Sequence, residues 1–277
     1  MAMSRSLLCV ALLTGCFIKP NRVDPGDGGN GGGSDGGGSG FRDAGLDAYV
    51  PEFAPRVIAN INYSDSSATG SNGQGYYYFA VPPNSIHEGD LLLIIGNVDN
   101  GPQWNLPDAS WHQERNVFFG GDGQTFVVFS KIATATEPDH YGGPIMAVSS
   151  GAFTATLLDI PKAGAIALQH RTASTGENPV HNIADPVTIT VPNTLVIFAA
   201  GADWLSSTST FSTTPPDGYT PLASFGDKDN QDFWWTTQQV AYAYYATAQT
   251  TPTLTGTTTS GNIVGESWAL TIAIQPQ

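Results

Sequence analysis

Residues 90–99 read DLLLIIGNVD and residues 193–203 read NTLVIFAAGAD, and these two stretches decide the fold. Each is a run of apolar residues that follows a polar turn residue and ends near a glycine and an aspartate. Short apolar runs with such boundaries are typical of β-strands. Because the pattern occurs twice, it predicts a duplicated β-structure.

The segments that follow each run occur in the same order in both copies. A proline-aspartate-aromatic segment comes first, formed by Pro107, Asp108 and Trp111 in one copy and by Pro216, Asp217 and Tyr219 in the other. An aromatic strand comes next, at 126–136 and 240–250, and an apolar strand closes each copy, at 153–160 and 268–274. We therefore predict two halves, about 75–160 and 187–277. The alternative is that strands and turns alternate in every β-sandwich, so that unrelated segments look alike.

Strand-like runs separated by turn residues continue through 55–277, which predicts one all-β domain with the architecture of an antiparallel β-sandwich or jelly roll. Only 163–170 has a modest helical composition, and Pro161 and Gly164 disfavour a helix there. Residues 75–277 resemble uncharacterised β-sandwich domains of secreted bacterial proteins and phage tail proteins. In those domains a Gly-Asp-Leu-Leu strand precedes a tryptophan-containing loop. That resemblance implies a fold and no activity.

The N-terminus has the pattern of a lipoprotein signal. Arg5 precedes an apolar core at 7–13, and Leu13, Thr14 and Gly15 lead to Cys16. This sequence resembles the lipobox of bacterial lipoproteins, which implies cleavage after residue 15 and a diacylglycerol thioether on Cys16. Cys9 does not fit the same motif because Leu8 precedes it. We therefore expect residues 1–15 to be a signal peptide and the protein to be lipid-anchored outside the cytoplasm, with the outer membrane or cell surface favoured.

A glycine-rich segment separates this anchor from the domain. Residues 16–54 contain few side chains that could be buried, and 26–40 are almost entirely Gly, Asp, Asn and Ser. Such a composition predicts a disordered tether. After cleavage the chain would contain one cysteine, which the lipid consumes, so neither a disulfide nor a cysteine metal site is expected.

Charge and histidine spacing exclude several function classes. The chain has 24 acidic and 10 basic residues, a formal net charge of −14, which disfavours nucleic acid as a partner. The five histidines include no i, i+4 pair. His112 and Glu114 would lie on one face of an extended strand, which could bring a base and a carboxylate together. Solvated strand positions are the more common explanation of such pairs.

Two sets of side chains are candidates for ligand binding. The closely spaced carboxylates Asp227, Asp229 and Asp232 suit calcium, although the EF-hand pattern is not met and turn chemistry is the more common explanation of such a cluster. Tryptophans in or near predicted loops could stack on sugar rings, or could instead close the ends of the sandwich. These tryptophans are Trp104, Trp111, Trp204, Trp234 and Trp235. No other cofactor is expected.

These observations favour a non-catalytic surface protein that binds a glycan or a protein through its loops. One alternative is a secreted carbohydrate-active hydrolase or lyase that uses two carboxylates such as Glu114 and Glu266. Glycosidases of this kind need carboxyl groups about 5 to 9.5 Å apart. A second alternative is a structural module that works by fibre-like assembly.

Overall fold

A computed structural model describes residues 54–62, 75–98, 103–118, 124–146, 152–174, 179–205, 210–228, 234–260 and 264–277. The compact unit to which they belong is Ala48–Gln277. Cys16, the predicted signal peptide and most of the predicted tether lie outside the described residues. Within those residues we find no helix with the length and apolar character needed to cross a lipid bilayer.

The described part of the chain is built from antiparallel β-strands, which confirms the predicted all-β class. The first eight strands are β1 (Arg56–Asn62), β2 (Gly75–Ala80), β3 (Leu91–Val98), β4 (Gln103–Trp104), β5 (His112–Phe118), β6 (Thr125–Ile132), β7 (His140–Met146) and β8 (Phe153–Ile160). The next five are β9 (Ala163–Ser174), β10 (Val180–Ala184), β11 (Thr188–Ile189), β12 (Thr194–Leu205) and β13 (Phe211–Thr214). The last five are β14 (Thr220–Lys228), β15 (Trp234–Tyr245), β16 (Gln249–Thr250), β17 (Leu254–Ser260) and β18 (Val264–Pro276).

The sheets repeat one topology. Inner sheet 1 has the order β1-β8-β3-β6-β5, and inner sheet 2 has the matching order β9-β18-β12-β15-β14. Outer sheet 1, β2-β7-β4, likewise matches outer sheet 2, β10-β17-β13. A short ribbon of β11 and β16 is added in the second half. In both halves the first strand pairs with the last and the second strand with the last but one, the nested winding of a jelly roll.

The repeat is longer than the segments recognised in the sequence. It includes β1 in the first half, and β9 and β10 in the second, so the halves meet between Ile160 and Ala163. The segment with helical composition is strand β9, which pairs with β18 along most of its length. Tertiary pairing therefore overrides a weak local preference there.

The sheets form four layers around three apolar cores. The central core lies between the two inner sheets, where Leu93, Ile95 and Leu158 meet Ile197 and Leu270. Each inner sheet also packs on the outer sheet of its own half. Strand β3 is buried at all eight positions because both faces of its sheet are covered. This is why its sequence is a continuous apolar run rather than an alternating one.

The two stretches quoted from the sequence, which begin at Asp90 and Asn193, suggest that these two residues correspond. The structure shows that the correspondence is shifted by one residue. Gly89 and Asn193 both have a positive φ, 88° and 58°, in the turns that precede β3 and β12. Leu91 and Leu195 then both enter the central core. The alignment that pairs Asp90 with Asn193 would place corresponding side chains on opposite faces, because side chains alternate along a strand.

Candidate functional site

Two of the predicted ligand-binding tryptophans are core residues. Trp104 is 1% exposed and packs edge-on against Phe153, with ring centroids 5.8 Å apart. Trp111 is 3% exposed and packs edge-on against Tyr141 at 5.2 Å. Both rings are therefore buried in the core, and neither presents a face to a ligand in this structure. They fill space between an inner and an outer sheet that small residues leave open: a Cβ on Gly96 would lie 3.0 Å from Trp104.

The other three tryptophans lie in strands rather than loops. Trp204 on β12 is the direct backbone partner of Trp235 on β15, and Leu205 is the partner of Trp234. This register gathers them at one end of inner sheet 2. Their side chains lie outside the described residues, so a role in ligand binding stays a prediction.

Of the predicted calcium ligands, the structure describes one, in a strand. Asp227 belongs to β14, where its backbone partner is Thr236 on β15. Asp229 and Asp232 lie outside the described residues. Among the residues that are described, no group of three or more His, Cys, Asp or Glu side chains is arranged to hold a metal ion. Calcium binding by this loop stays a prediction.

The carboxylates of the hydrolase hypothesis do not meet. Glu114 accepts a hydrogen bond from Ser130 Oγ at 2.6 Å, and His112 Nδ1 lies 3.1 Å from the same carboxylate oxygen, as the spacing of His112 and Glu114 predicts. Ser130 lies four residues along β6 from Phe126, roughly 13 Å in an extended strand. Glu266 lies in the opposite direction, beyond Trp268, the ring that stacks on Phe126.

The strand register thus places Glu114 and Glu266 towards opposite ends of the inner sheets, which does not favour the carboxyl separation of about 5 to 9.5 Å that glycosidase mechanisms use. Glu266 is itself buried, and its backbone N–H donates to Asp203 Oδ1 at 2.6 Å. Ser130 donates to a carboxylate rather than to the imidazole of His112.

The side chains that the structure does bring together at the surface lie on outer sheet 1. In the described part of the chain, large apolar side chains are exposed at Tyr76, Tyr78, Phe118 and Ile132. Tyr76 and Tyr78 are two residues apart on β2, and each is 46% exposed. Their side chains share the outward face of the sheet, whereas Tyr77 and Phe79 point into the core.

The neighbouring strand completes a flat surface around these rings. On β7, Pro144 is the partner of Tyr76, Gly142 is the partner of Tyr78, and His140 is the partner of Ala80. The imidazole of His140 stacks on Tyr78 with centroids 4.9 Å apart and planes at 21°. We call these five residues, Tyr76, Tyr78, His140, Gly142 and Pro144, the tyrosine face. None of them is a lysine or an arginine.

Tyr77, which lies between the two exposed tyrosines on β2, points inward and attaches this strand to the rest of the first half. The hydroxyl of Tyr77 donates to the carbonyl of Asn105 at 2.7 Å, and burial, with a smaller contribution from the charge of Asp108, raises the pKa of Tyr77 far above its ordinary range. Gly142 has no room for a side chain, since a Cβ there would lie 2.6 Å from the carbonyl oxygen of Tyr77. The floor beside Tyr78 therefore stays open.

Polar groups flank the tyrosine face at one edge. His140 Nδ1 lies 2.6 Å from the carboxylate of Asp139, which is itself well exposed. This contact fixes the ring that stacks on Tyr78. The site thus combines aromatic faces, two phenolic hydroxyls, an imidazole and a carboxylate on one preformed surface.

Sequence reasoning did not identify this site because it searched for tryptophans in loops. The signal was present in GYYYFA at 75–80, where four consecutive aromatic residues must place alternate rings on opposite faces of a strand. One pair had to point away from the core. No family model matches the chain, and no curated protein or solved structure shows significant similarity to it. The fold is a duplicated antiparallel β-sandwich. The function has to be inferred from the chemistry of its surfaces.

Proposed function

We propose that this protein is a lipid-anchored, non-catalytic surface protein that binds a glycan through the tyrosine face. The exposed pair Tyr76 and Tyr78, with His140 stacked on the second ring, carries the proposal. Aromatic side chains of this kind offer an apolar face to the C–H side of a sugar and a hydroxyl to its edge. Two such rings lie about 7 Å apart along an extended strand.

The charge of the protein favours a neutral ligand. The formal net charge is −14, and the charged group in contact with His140 is the carboxylate of Asp139. A nucleic acid or an anionic lipid surface would be repelled by such a protein. Sugar hydroxyls, in contrast, can donate hydrogen bonds to a carboxylate.

The N-terminal sequence supports presentation at a membrane. Leu13, Thr14, Gly15 and Cys16 match a lipobox, and the glycine-rich segment that follows would hold the domain away from the lipid surface. A domain displayed in this way meets extracellular polymers before it meets the membrane itself. Attachment through two or more acyl chains is effectively stable.

A glycan array probed with the full-length protein in detergent tests the proposal. We expect binding to one or more neutral glycans, and we expect Tyr76→Ala/Tyr78→Ala to weaken it by about fivefold or more, since each stacked ring contributes about 0.5–1.5 kcal/mol. Phe118→Ala is the matched control, because Phe118 is an exposed aromatic residue on a different strand. The variant Tyr76→Phe/Tyr78→Phe keeps both aromatic rings and loses only their hydroxyls, so it should retain most of the affinity for the glycan.

Two outcomes would overturn the proposal: absence of binding to every glycan on the array, or binding that the alanine double variant leaves unchanged. A parallel variant, Trp204→Ala/Trp234→Ala/Trp235→Ala, separates the tyrosine face from the tryptophans at the end of inner sheet 2. Loss of binding in that variant alone would transfer the site to those strands.

A further inference from the structure

A concave surface lies on the other outer sheet. It is a cleft of about 380 Å³ between two turns of the second half. Pro215, Pro216 and Asp217 form one wall after β13, and Pro252 and Thr253 form the other before β17. The volume lies within the range of about 300–1,000 Å³ that is common for small-molecule sites.

Threonines form the floor of this cleft. Thr214 on β13 is the direct partner of Thr257 on β17, and Thr255 lies two residues before Thr257 on the same face. The intervening Gly256 and the following Thr258 are buried, and Thr258 accepts a hydrogen bond from Asn182 at 2.8 Å. The outward threonines differ from it: within the described residues, no protein group is hydrogen-bonded to the hydroxyls of Thr214, Thr255 and Thr257.

Both walls are held in place by the protein itself. The backbone N–H of Tyr219 donates to the carbonyl of Pro216 at 3.1 Å, which closes the turn that carries Asp217. On the other side, Thr251 and Val187 exchange two hydrogen bonds of 2.9 Å. Leu254 is buried beneath the cleft. A cleft with fixed walls loses little conformational entropy when a ligand binds.

The lining selects the class of ligand. It contains hydroxyl groups that both donate and accept, one carboxylate that accepts, and proline rings that present C–H surface. It contains neither lysine nor arginine, so an anion would lie beside the carboxylate of Asp217 without a compensating charge. An apolar ligand would cover the threonine hydroxyls without bonding them. A neutral ring that carries several hydroxyls satisfies all three kinds of group.

We propose that this cleft is a second binding site, specific for a neutral saccharide, with Asp217 accepting hydrogen bonds from adjacent sugar hydroxyls and Thr214, Thr255 and Thr257 bonding the ring from below. The site is independent of the tyrosine face, since it lies on outer sheet 2 and uses other residues. The duplication would then give the protein two outward surfaces of different chemistry. One protein that holds two sugars gains avidity for a polymer that can reach both sites.

The experiment uses the full-length protein with Tyr76→Ala/Tyr78→Ala, which removes the tyrosine face. Maltotriose, cellotriose and chitotriose are titrated against it, with binding followed by saturation-transfer NMR. We expect at least one of them to bind, and Thr255→Val/Thr257→Val or Asp217→Asn to weaken it by tenfold or more. Valine keeps the shape and the β-propensity of threonine and removes only the hydroxyl.

Thr259→Val is the matched control, because Thr259 is an exposed threonine on the same strand outside the cleft. Thermal unfolding checks that every variant is folded. The inference is overturned if none of the three saccharides binds, or if binding survives the cleft substitutions. If Tyr76→Ala/Tyr78→Ala loses all the saccharide binding of the wild type, only the proposal of a binding site in the cleft is overturned. If this variant binds as the wild type does, only the proposed function of the tyrosine face is overturned.

Discussion

The rings of Phe126 and Trp268 stack face to face, with centroids 4.9 Å apart and planes at 13°, although they belong to different halves of the duplicated fold. Phe126 lies on inner sheet 1 and Trp268 on inner sheet 2. The indole also lies over Gly201, where a Cβ would be 2.7 Å from Trp268 Cε2. The two jelly rolls are therefore joined by a continuous central core, and a buried hydrogen bond of 2.9 Å from Gln238 Nε2 to the carbonyl of Ile95 crosses the same interface.

Trp268→Ala is expected to lower the free energy of unfolding by about 3–5 kcal/mol, because it leaves a large cavity between the inner sheets. Phe118→Ala is the control, since Phe118 is 52% exposed and its removal opens no cavity. Urea unfolding at 25 °C measures both. A loss below 1 kcal/mol in Trp268→Ala would contradict the view that this stack holds the two halves together.

Lys131→Met is expected to destabilise the protein by about 3–5 kcal/mol, because it leaves Glu137 buried without its cation. Lys131 Nζ lies 2.7 Å from Glu137 Oε2, and both side chains are less than a tenth exposed. Burial alone would raise the pKa of Glu137, but hydrogen bonds from Lys131, the backbone of Thr134 and Tyr141 hold that pKa below its ordinary value.

The same pair predicts a pH dependence. A lowered pKa in the folded state means that the stabilisation from Glu137 is present above its unfolded pKa and is lost as the pH falls.

The double variant Lys131→Met/Glu137→Gln should recover much of the stability that Lys131→Met loses, which would confirm that an uncompensated charge is the cause of the loss. Glu88→Gln, a change at an exposed carboxylate, should alter the stability by less than about 0.5 kcal/mol.

Asp159 is expected to act in the opposite direction. Burial, with a smaller contribution from the neighbouring Asp90, raises the pKa of Asp159 to about 6, although the hydrogen bond and the charge of Arg56 act to lower it. The folded protein therefore holds a proton on this carboxyl more tightly than the unfolded chain does, and stability should fall as the pH rises from about 4 through 6. Urea midpoints between pH 4 and 7 should show this decline in the wild type and a flatter curve in Asp159→Asn. An identical slope in the two proteins would count against the assignment.

Cys16→Ala is expected to abolish metabolic labelling with palmitate, because the thiol of Cys16 is the predicted attachment point. Cys9→Ala should retain full labelling, since Cys9 lies within the predicted signal peptide and follows a leucine. Fractionation of cells that express the two variants measures the consequence for membrane attachment. Labelling that survives in Cys16→Ala would exclude the lipoprotein interpretation.

The fold was predictable where local sequence carries the constraint. The apolar runs at β3 and β12 had to be buried strands, and their recurrence indicated the duplication. The register of the repeat was not predictable, because a one-residue shift leaves the composition of a run unchanged and reverses only the faces. Gly89 and Asn193 reveal the correct register through backbone conformations that sequence alone does not report.

The candidate site was likewise only partly predictable from the sequence. The position of the tryptophans near predicted loops suggested contact with a ligand. Trp104 and Trp111 lie in the core instead, because an outer sheet covers the inner sheet and buries both rings. Tyr76 and Tyr78 looked like ordinary strand residues. They are exposed because Tyr77 and Phe79 took the inward positions on the same strand.

By itself, then, the sequence determined the all-β class, the duplicated order of strands and the acidic charge, since each of these depends on composition or on neighbours along the chain. Only the tertiary structure decided which aromatic rings face solvent, how Phe126 meets Trp268, and that Thr214 faces Thr257 in a cleft. Those relationships join residues that are distant in sequence. They arise from the pairing of strands and the stacking of sheets, which bury one face of each strand and leave the other available to a ligand.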